Sequence, residues 1–145
     1  AGVEYSILPG LLFTSRYNWQ KGTEELDDES TSPSRHAAPA FGLTRITYRK
    51  GKFKAEISSQ YAAQFDFEDM PIEEISKPQL YAKDENGNPF SPNWIIFSAN
   101  STLNLSEVIQ ISASIENIAN QRYRTYSSGI TAPGRNFILG INARF

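Results

Sequence analysis

Residues 53–67 read FKAEISSQYAAQFDF, and every second side chain is apolar or small: Phe53, Ala55, Ile57, Ser59, Tyr61, Ala63, Phe65 and Phe67. Between them stand Lys54, Glu56, Ser58, Gln60, Ala62, Gln64 and Asp66. A period of two sends the two sets to opposite faces of a β-strand. The length carries a second message. At about 3.3 Å per residue the run would extend roughly 50 Å, against about 17–20 Å for an ordinary globular strand. An apolar band about 25 Å tall is crossed at a tilt near 40° by about ten residues, so such a strand is long enough to span a membrane and project beyond it.

The same rhythm recurs outward from this segment. Val3, Tyr5 and Ile7 oppose Glu4 and Ser6; Leu11, Phe13, Tyr17 and Trp19 oppose Thr14, Arg16, Asn18 and Gln20. Over 42–50, Ile46 and Tyr48 oppose Arg45, Thr47 and Arg49. Over 94–105 and 108–116 the apolar sets are Ile95, Phe97, Ala99, Leu103 and Leu105, then Ile109, Ile111, Ala113 and Ile115. The final ten residues, NFILGINARF, place Phe137, Leu139, Ile141, Ala143 and Phe145 on one parity. These segments predict seven strands in antiparallel meander order, odd-numbered residues largely on the apolar face, and no amphipathic helix of useful length.

The connections predict an asymmetric sheet. Pro9-Gly10, Lys50-Gly51-Lys52 and Ser106-Glu107 are hairpin-sized turns. Alternating with them are long polar stretches at 23–40, 68–93 and 120–135. Loops of that length are uncommon within compact soluble domains. Short turns at one end and long loops at the other describe an outer-membrane barrel.

Composition narrows the function classes. The 145-residue chain has a net charge of −2 and no cysteine, which excludes a disulfide framework, a Cys-based metal site and a Cys nucleophile. No block of Lys and Arg points to nucleic acid. One histidine, His36, leaves little for a zinc site or a catalytic triad, and no nucleophile motif is present, so an enzyme is not expected. A mean hydropathy of −0.44 and the lack of a long apolar run exclude a membrane-spanning helix but not a barrel. The opening AGVEYSIL carries no initiator Met and no leader pattern, and with seven strands this predicts a piece of a longer chain.

A soluble β-sandwich also alternates apolar and polar residues, and its solvated face would equally accept Arg16, Arg45, Lys54, Glu56 and Arg144. Strand length combined with loop asymmetry favours the barrel. Tyr17, Trp19, Tyr61, Phe65 and Tyr123, all toward the long-loop ends, fit an interfacial aromatic girdle, although aromatics are enriched in any strand.

Residues 115–145, IENIANQRYRTYSSGITAPGRNFILGINARF, resemble the closing segment of TonB-dependent outer-membrane receptors. The matching positions are Glu116, Asn117, Asn120, Tyr123, Gly129, Pro133, Gly134, Arg135, Phe137 and Phe145; Ala119 departs from a frequent Phe. RITYRKGKFKAEISSQY looks like the family's Gly-turn hairpin, and SPNWIIFSANSTLNLSE like the beginning of its next strand. The resemblance implies an all-β fold: the C-terminal part, residues 1–145, of a transmembrane barrel of about 22 strands, its plug domain and earlier strands lying outside this chain. It implies import of a siderophore, haem, cobalamin or glycan across a Gram-negative outer membrane. The implied partners are the small-molecule nutrient, the lipid bilayer, the TonB complex acting through the plug, and the barrel-assembly machinery. No cofactor or nucleic acid is implied. Phe137, Leu139, Ile141, Ala143 and Phe145 would form the assembly machinery's recognition strand.

Within the loops, Arg122, Arg124, Tyr126 and Arg135 are the candidate ligand contacts, because Arg and Tyr supply directed donors and flat contact area. Arg135 has an alternative role in satisfying loop carbonyls. DENGN at 84–88 spaces oxygens around a Gly turn but lacks the Glu of a calcium loop, since Ile95 stands there. The acidic run Glu24, Glu25, Asp27, Asp28 and Glu29 reads as a solvated loop. Two rivals from other classes are a soluble ligand-binding sandwich or barrel, and an outer-membrane adhesin or autotransporter.

Overall fold

The computed structural model describes residues 1–35 and 37–144. Seven strands form one antiparallel sheet: β1 (Gly2–Leu8), β2 (Leu11–Asn18), β5 (Phe41–Lys50), β6 (Phe53–Ala62), β9 (Trp94–Asn104), β10 (Ile109–Glu116) and β11 (Asn136–Ala143). Each pairs with its neighbour in chain order, so the topology is the expected meander. Two small hairpins lie in the long loops, β3 (Thr23–Glu25) with β4 (Thr31–Pro33) and β7 (Ala82–Lys83) with β8 (Pro89–Phe90), beside a four-residue helix α1 (Ile72–Ile75).

The register joins side chains into rows. On one face a row crosses the whole sheet through Tyr5, Phe13, Ile46, Ile57, Ala99, Ile115 and Phe137. The next row toward the short turns passes through Leu11, Tyr48, Ala55, Ser101, Ala113 and Leu139. Cross-strand apolar pairs of this kind fix the register, because a slip of one residue would turn every side chain over. Odd-numbered residues hold this face in six strands. In β5 the parity is reversed: Ile46 pairs with both Phe13 and Ile57, so the even-numbered residues join the apolar face and Arg45, Thr47 and Arg49 the polar one. The 22 residues from 19 to 40 separate β5 from β2 by a loop that preserves no parity.

No second layer covers the apolar face among the described residues. Phe53, Ile57 and Phe97 are 40%, 60% and 44% exposed, and Leu139 reaches 84%. A sandwich core would hold these side chains at a few per cent. The only buried hydrophobic side chains among the described residues are Met70 and Ile96, one in the loop cap and one on the polar face.

Two expected strands end early. β6 stops at Ala62, at about 33 Å, rather than running to Phe67. Its partner β5 begins at Phe41, and past that point the Ala63 amide makes one closing bond to the Ala40 carbonyl at 2.7 Å. Phe65 touches Ser91 through an isolated bridge and turns its ring edge-on to Tyr126, 5.0 Å between centroids, so it belongs to the loops. β2 likewise ends at Asn18, leaving Trp19 outside the ladder and 69% exposed. The expected girdle is partly present: Tyr17 and Tyr61 stand in one row on either side of Gly42. Tyr61 lies over Gly42, where a Cβ would collide with the Tyr ring. Phe65 and Tyr123 are instead packed inside the cap.

Candidate functional site

The long loops fold over one end of the sheet as a single cap, and α1 is its hub. Two adjacent glutamates reach in different directions from this helix. The Arg35 Nε meets Glu73 at 3.2 Å and Glu24 at 3.0 Å, tying the first loop to the second. The buried Glu74 accepts hydrogen bonds from Lys77 Nζ at 2.9 Å, Ser127 Oγ at 3.1 Å and the Tyr81 hydroxyl, tying the second loop to the third. The Ile72 amide also donates to Ser32 Oγ at 3.4 Å, and Ser32 is buried. Burial pushes the Glu74 carboxyl upward, but the Tyr81, Lys77 and Ser127 donors outweigh it and hold the group below its ordinary range. Burial, then the hydrogen bond to Glu74, raises the Tyr81 phenol. Burial, then the Glu74 charge, pushes Tyr126 up to about 12, so it stays neutral and a donor throughout the physiological range.

The third loop is closed by an asparagine clasp. Asn117 is 2% exposed; its Nδ2 donates to the Gln121 carbonyl at 2.8 Å and the Pro133 carbonyl at 3.1 Å, and its Oδ1 accepts from the Gln121 amide at 2.9 Å. Asn120 Oδ1 accepts the Arg135 amide at 2.9 Å, and Arg135 Nε donates to the Ile118 carbonyl at 2.8 Å. Asn117 and Asn120 have φ of 47° and 53°, left-handed values that Asn tolerates better than most residues. A side chain at Gly134 would strike Asn120 Oδ1.

Beneath the cap are two adjoining cavities. The larger, about 550 Å³, is floored by polar-face residues at the loop end of the sheet, Arg16, Asn18, Phe41, Leu43, Gln60 and Trp94, and roofed by Tyr123, Thr125 and Tyr126. The smaller, about 330 Å³, is bounded by Leu80, Tyr81, Asn93, Arg122 and Arg124. Ser91, Trp94, Tyr123 and Thr125 line both and form the partition between them. Its centre is the Trp94–Tyr123 ring pair, 4.4 Å between centroids with planes 34° apart. Volumes of several hundred Å³ with aromatic walls and a few directed polar groups suit small-molecule binding.

Of the four candidate ligand residues, Arg122 and Arg124 line the smaller cavity and Tyr126 the larger. Arg124 Nε donates to Thr131 Oγ1 at 3.3 Å, and the Tyr126 hydroxyl is buried without meeting the neighbouring Tyr81 hydroxyl in hydrogen-bonding geometry. Arg135 lines neither cavity; the loop carbonyl takes its Nε. Sequence reasoning missed Arg16, Phe41 and Trp94, which enter the site from strand ends on the polar face. The polar-face positions of Arg16 and Trp94 were legible from parity, whereas the uniform odd-even rule sends Phe41 to the apolar face, and the convergence of all three depends on loop folding.

The remaining motifs settle into structural roles. Asp84 Oδ1 accepts the amides of Asn86 and Asn88 at 2.9 and 2.8 Å, so DENGN is an Asx turn within the β7–β8 hairpin, and these bonds hold its carboxyl below the ordinary range. No group of acidic or histidine side chains among the described residues could hold a metal ion. In the acidic run, Asp28 accepts Ser30, and Glu24 pairs with Arg35. His36 lies outside the described residues. Of the expected assembly strand, Phe137, Leu139 and Ile141 project from the apolar face at 72%, 84% and 78% exposure and Ala143 is exposed, while Phe145 is outside the described residues.

Solved structures share this fold. The chain aligns with the copper transporter OprC at a TM-score of 0.78 and 17% identity, over 99% of this chain and 22% of that one. With a mutant of the ferric enterobactin receptor PfeA from Pseudomonas aeruginosa the values are 0.70, 11%, 99% and 21%. With the siderophore receptor PiuA from Acinetobacter baumannii they are 0.62, 14%, 98% and 20%. The present chain thus spans about a fifth of the length of these proteins. No protein-family model matches it, and no curated protein matches it in sequence. The likeness is one of fold: the seven-stranded sheet with its loops matches a segment of each of these three proteins.

Proposed function

We propose that this chain is part of the barrel wall and outer loops of a TonB-dependent outer-membrane receptor that imports a scarce solute into a Gram-negative bacterium. The observation that carries the reading is an antiparallel sheet with one continuous uncovered apolar face, short turns at one end and a folded cap at the other. In this reading lipid covers the Tyr5–Phe137 rows, and the polar face with Arg45, Glu56 and Asn100 lines the lumen. The likeness in fold to a copper transporter and two siderophore receptors supports a metal or metal chelate as cargo over haem, cobalamin or a glycan.

The solute enters beneath the cap and is held by Trp94, Tyr123 and Tyr126 with Arg122 and Arg124 as donors. A plug domain outside this chain, moved by the TonB complex from the periplasm, then releases it inward. The chain contributes binding and enclosure and no bond-breaking step. β11 carries the signal for the barrel-assembly machinery on Phe137, Leu139, Ile141, Ala143 and Phe145. Deleting Phe145 from the intact receptor should reduce folded barrel in the outer membrane several-fold, and unchanged assembly would remove that role.

Disrupting the full-length gene and growing the cells under iron or copper limitation tests the function. A growth defect reversed by the intact gene is expected. Fractionation should place the receptor in the outer membrane, and recovery as a detergent-free soluble protein would instead favour a soluble binding barrel.

A further inference from the structure

Resting on the receptor reading above, we infer that the solute bound beneath the cap is an anion with flat, polarisable groups, clamped between Arg16 below and Arg122 above the Trp94–Tyr123 partition. The charge of the two cavities runs against that of the chain. The chain as a whole carries 16 acidic against 14 basic side chains. Yet the charged residues lining the cavities, among those described, are Arg16, Arg122 and Arg124, and each is an arginine.

The pairing of these arginines separates them from their neighbours. Arg45, two residues from Leu43 down the same polar face, has Glu56 at 3.8 Å, and Arg35 in the cap has two carboxylates. Arg16 and Arg122 form neither an ion pair nor a side-chain hydrogen bond among the described residues, so no described side chain claims either guanidinium fork. Arginine presents a planar set of donors that matches carboxylate, phenolate or phosphate oxygens and stacks on aromatic faces. The tilted Trp94–Tyr123 pair offers flat rings on both of its sides, one to each cavity. Two or three positive charges unopposed at the walls of one site penalise a cationic ligand and favour an anionic one. The two cavities together suit a two-lobed solute, such as a metal chelate whose arms fall on either side of the partition.

The intact receptor in detergent micelles tests this with two probes of similar size, the trianionic iron(III) tris-catecholate complex and a neutral iron(III) tris-hydroxamate complex, followed by quenching of tryptophan fluorescence. The anionic probe should bind at least about tenfold tighter, with affinity falling as salt rises. Arg16→Gln and Arg122→Gln should each weaken it about tenfold and the neutral probe by clearly less, and Arg16→Lys and Arg122→Lys should restore part of the anion's loss. Heat-modifiable migration in gels checks that each variant is folded. Equal binding of both probes, binding of neither, or glutamine variants with unaltered affinity for the anion would overturn the inference. Growth on the two chelates separates this from the receptor reading: dependence on the receptor for the neutral chelate alone sinks the charge assignment but keeps the transporter. Tight anion binding with no receptor-dependent growth does the reverse.

Discussion

Asn117 shows how much of the cap depends on one side chain. A buried amide with three hydrogen bonds joins the start of the third loop to its end, and truncating it strands two carbonyls and an amide. The cost of unmade buried hydrogen bonds is about 1–3 kcal/mol. Asn117→Ala in the intact receptor should therefore increase proteolytic cleavage within 120–135 by on the order of tenfold, leaving the barrel's thermal transition unchanged. Glu74 supplies the complementary test through pH. Its carboxyl is held below the ordinary value of 4.5, so its contribution to cap stability is complete above that value and is lost as pH falls through the depressed native one. Protection of the loops from an acid-active protease should drop over that interval, and Glu74→Gln should be poorly protected at neutral pH and insensitive to the change. Asn117 was recognisable in the sequence as part of a pattern, but its task was not, since three carbonyl and amide partners come together only after the loop has closed.

At the scale of the strand, the alternation in 53–67 was a sound guide to the face and a poor guide to the end. Ile57 and Tyr61 lie where the period puts them, whereas Phe65 keeps the period and leaves the sheet, because Tyr126 offers it a better surface than a strand with no partner. Periodicity records which side a residue faces and says nothing of whether a neighbour is present to continue the ladder. β5 gives the opposite lesson. Its own alternation, Ile46 and Tyr48 against Arg45 and Thr47, was legible, and only a uniform odd-even rule for the whole chain failed, since a loop of arbitrary length resets parity. Ile57 sits mid-row on the uncovered face, 60% exposed. Ile57→Arg should lower the folding stability of the intact barrel in lipid vesicles by about 2–4 kcal/mol, the range for a cation near the bilayer midplane. Lys54→Met, on the opposite face, should change it little. Equal effects of the two would place the bilayer against neither side.

For the whole molecule, the sheet has two unpaired edges among the described residues, β1 and β11, and an apolar face with no layer upon it. Such edges and patches drive association in water. Residues 1–145 expressed alone should recover as aggregates or detergent-dependent species, and light scattering of a homogeneous detergent-free monomer would contradict the barrel reading. The architecture was legible from alternation and turn asymmetry because both are written locally, whereas the lengths of β2 and β6 were overread. The site was legible in part: Arg122, Arg124 and Tyr126 share one loop and reach the cavities together, while Arg16, Phe41 and Trp94 come from three strands separated by loops whose folding sets their distance.

The adjacency of Glu73 and Glu74 on one turn of α1 has a consequence for how this surface can diversify. Because that single turn anchors material on both sides of it, exchanging the first loop alone would take Arg35 from Glu73, and exchanging the third alone would take Ser127 from Glu74. On the receptor role proposed above, changes of side chains inside an intact canopy, or exchange of all of it at once, are the alterations that leave these ties whole.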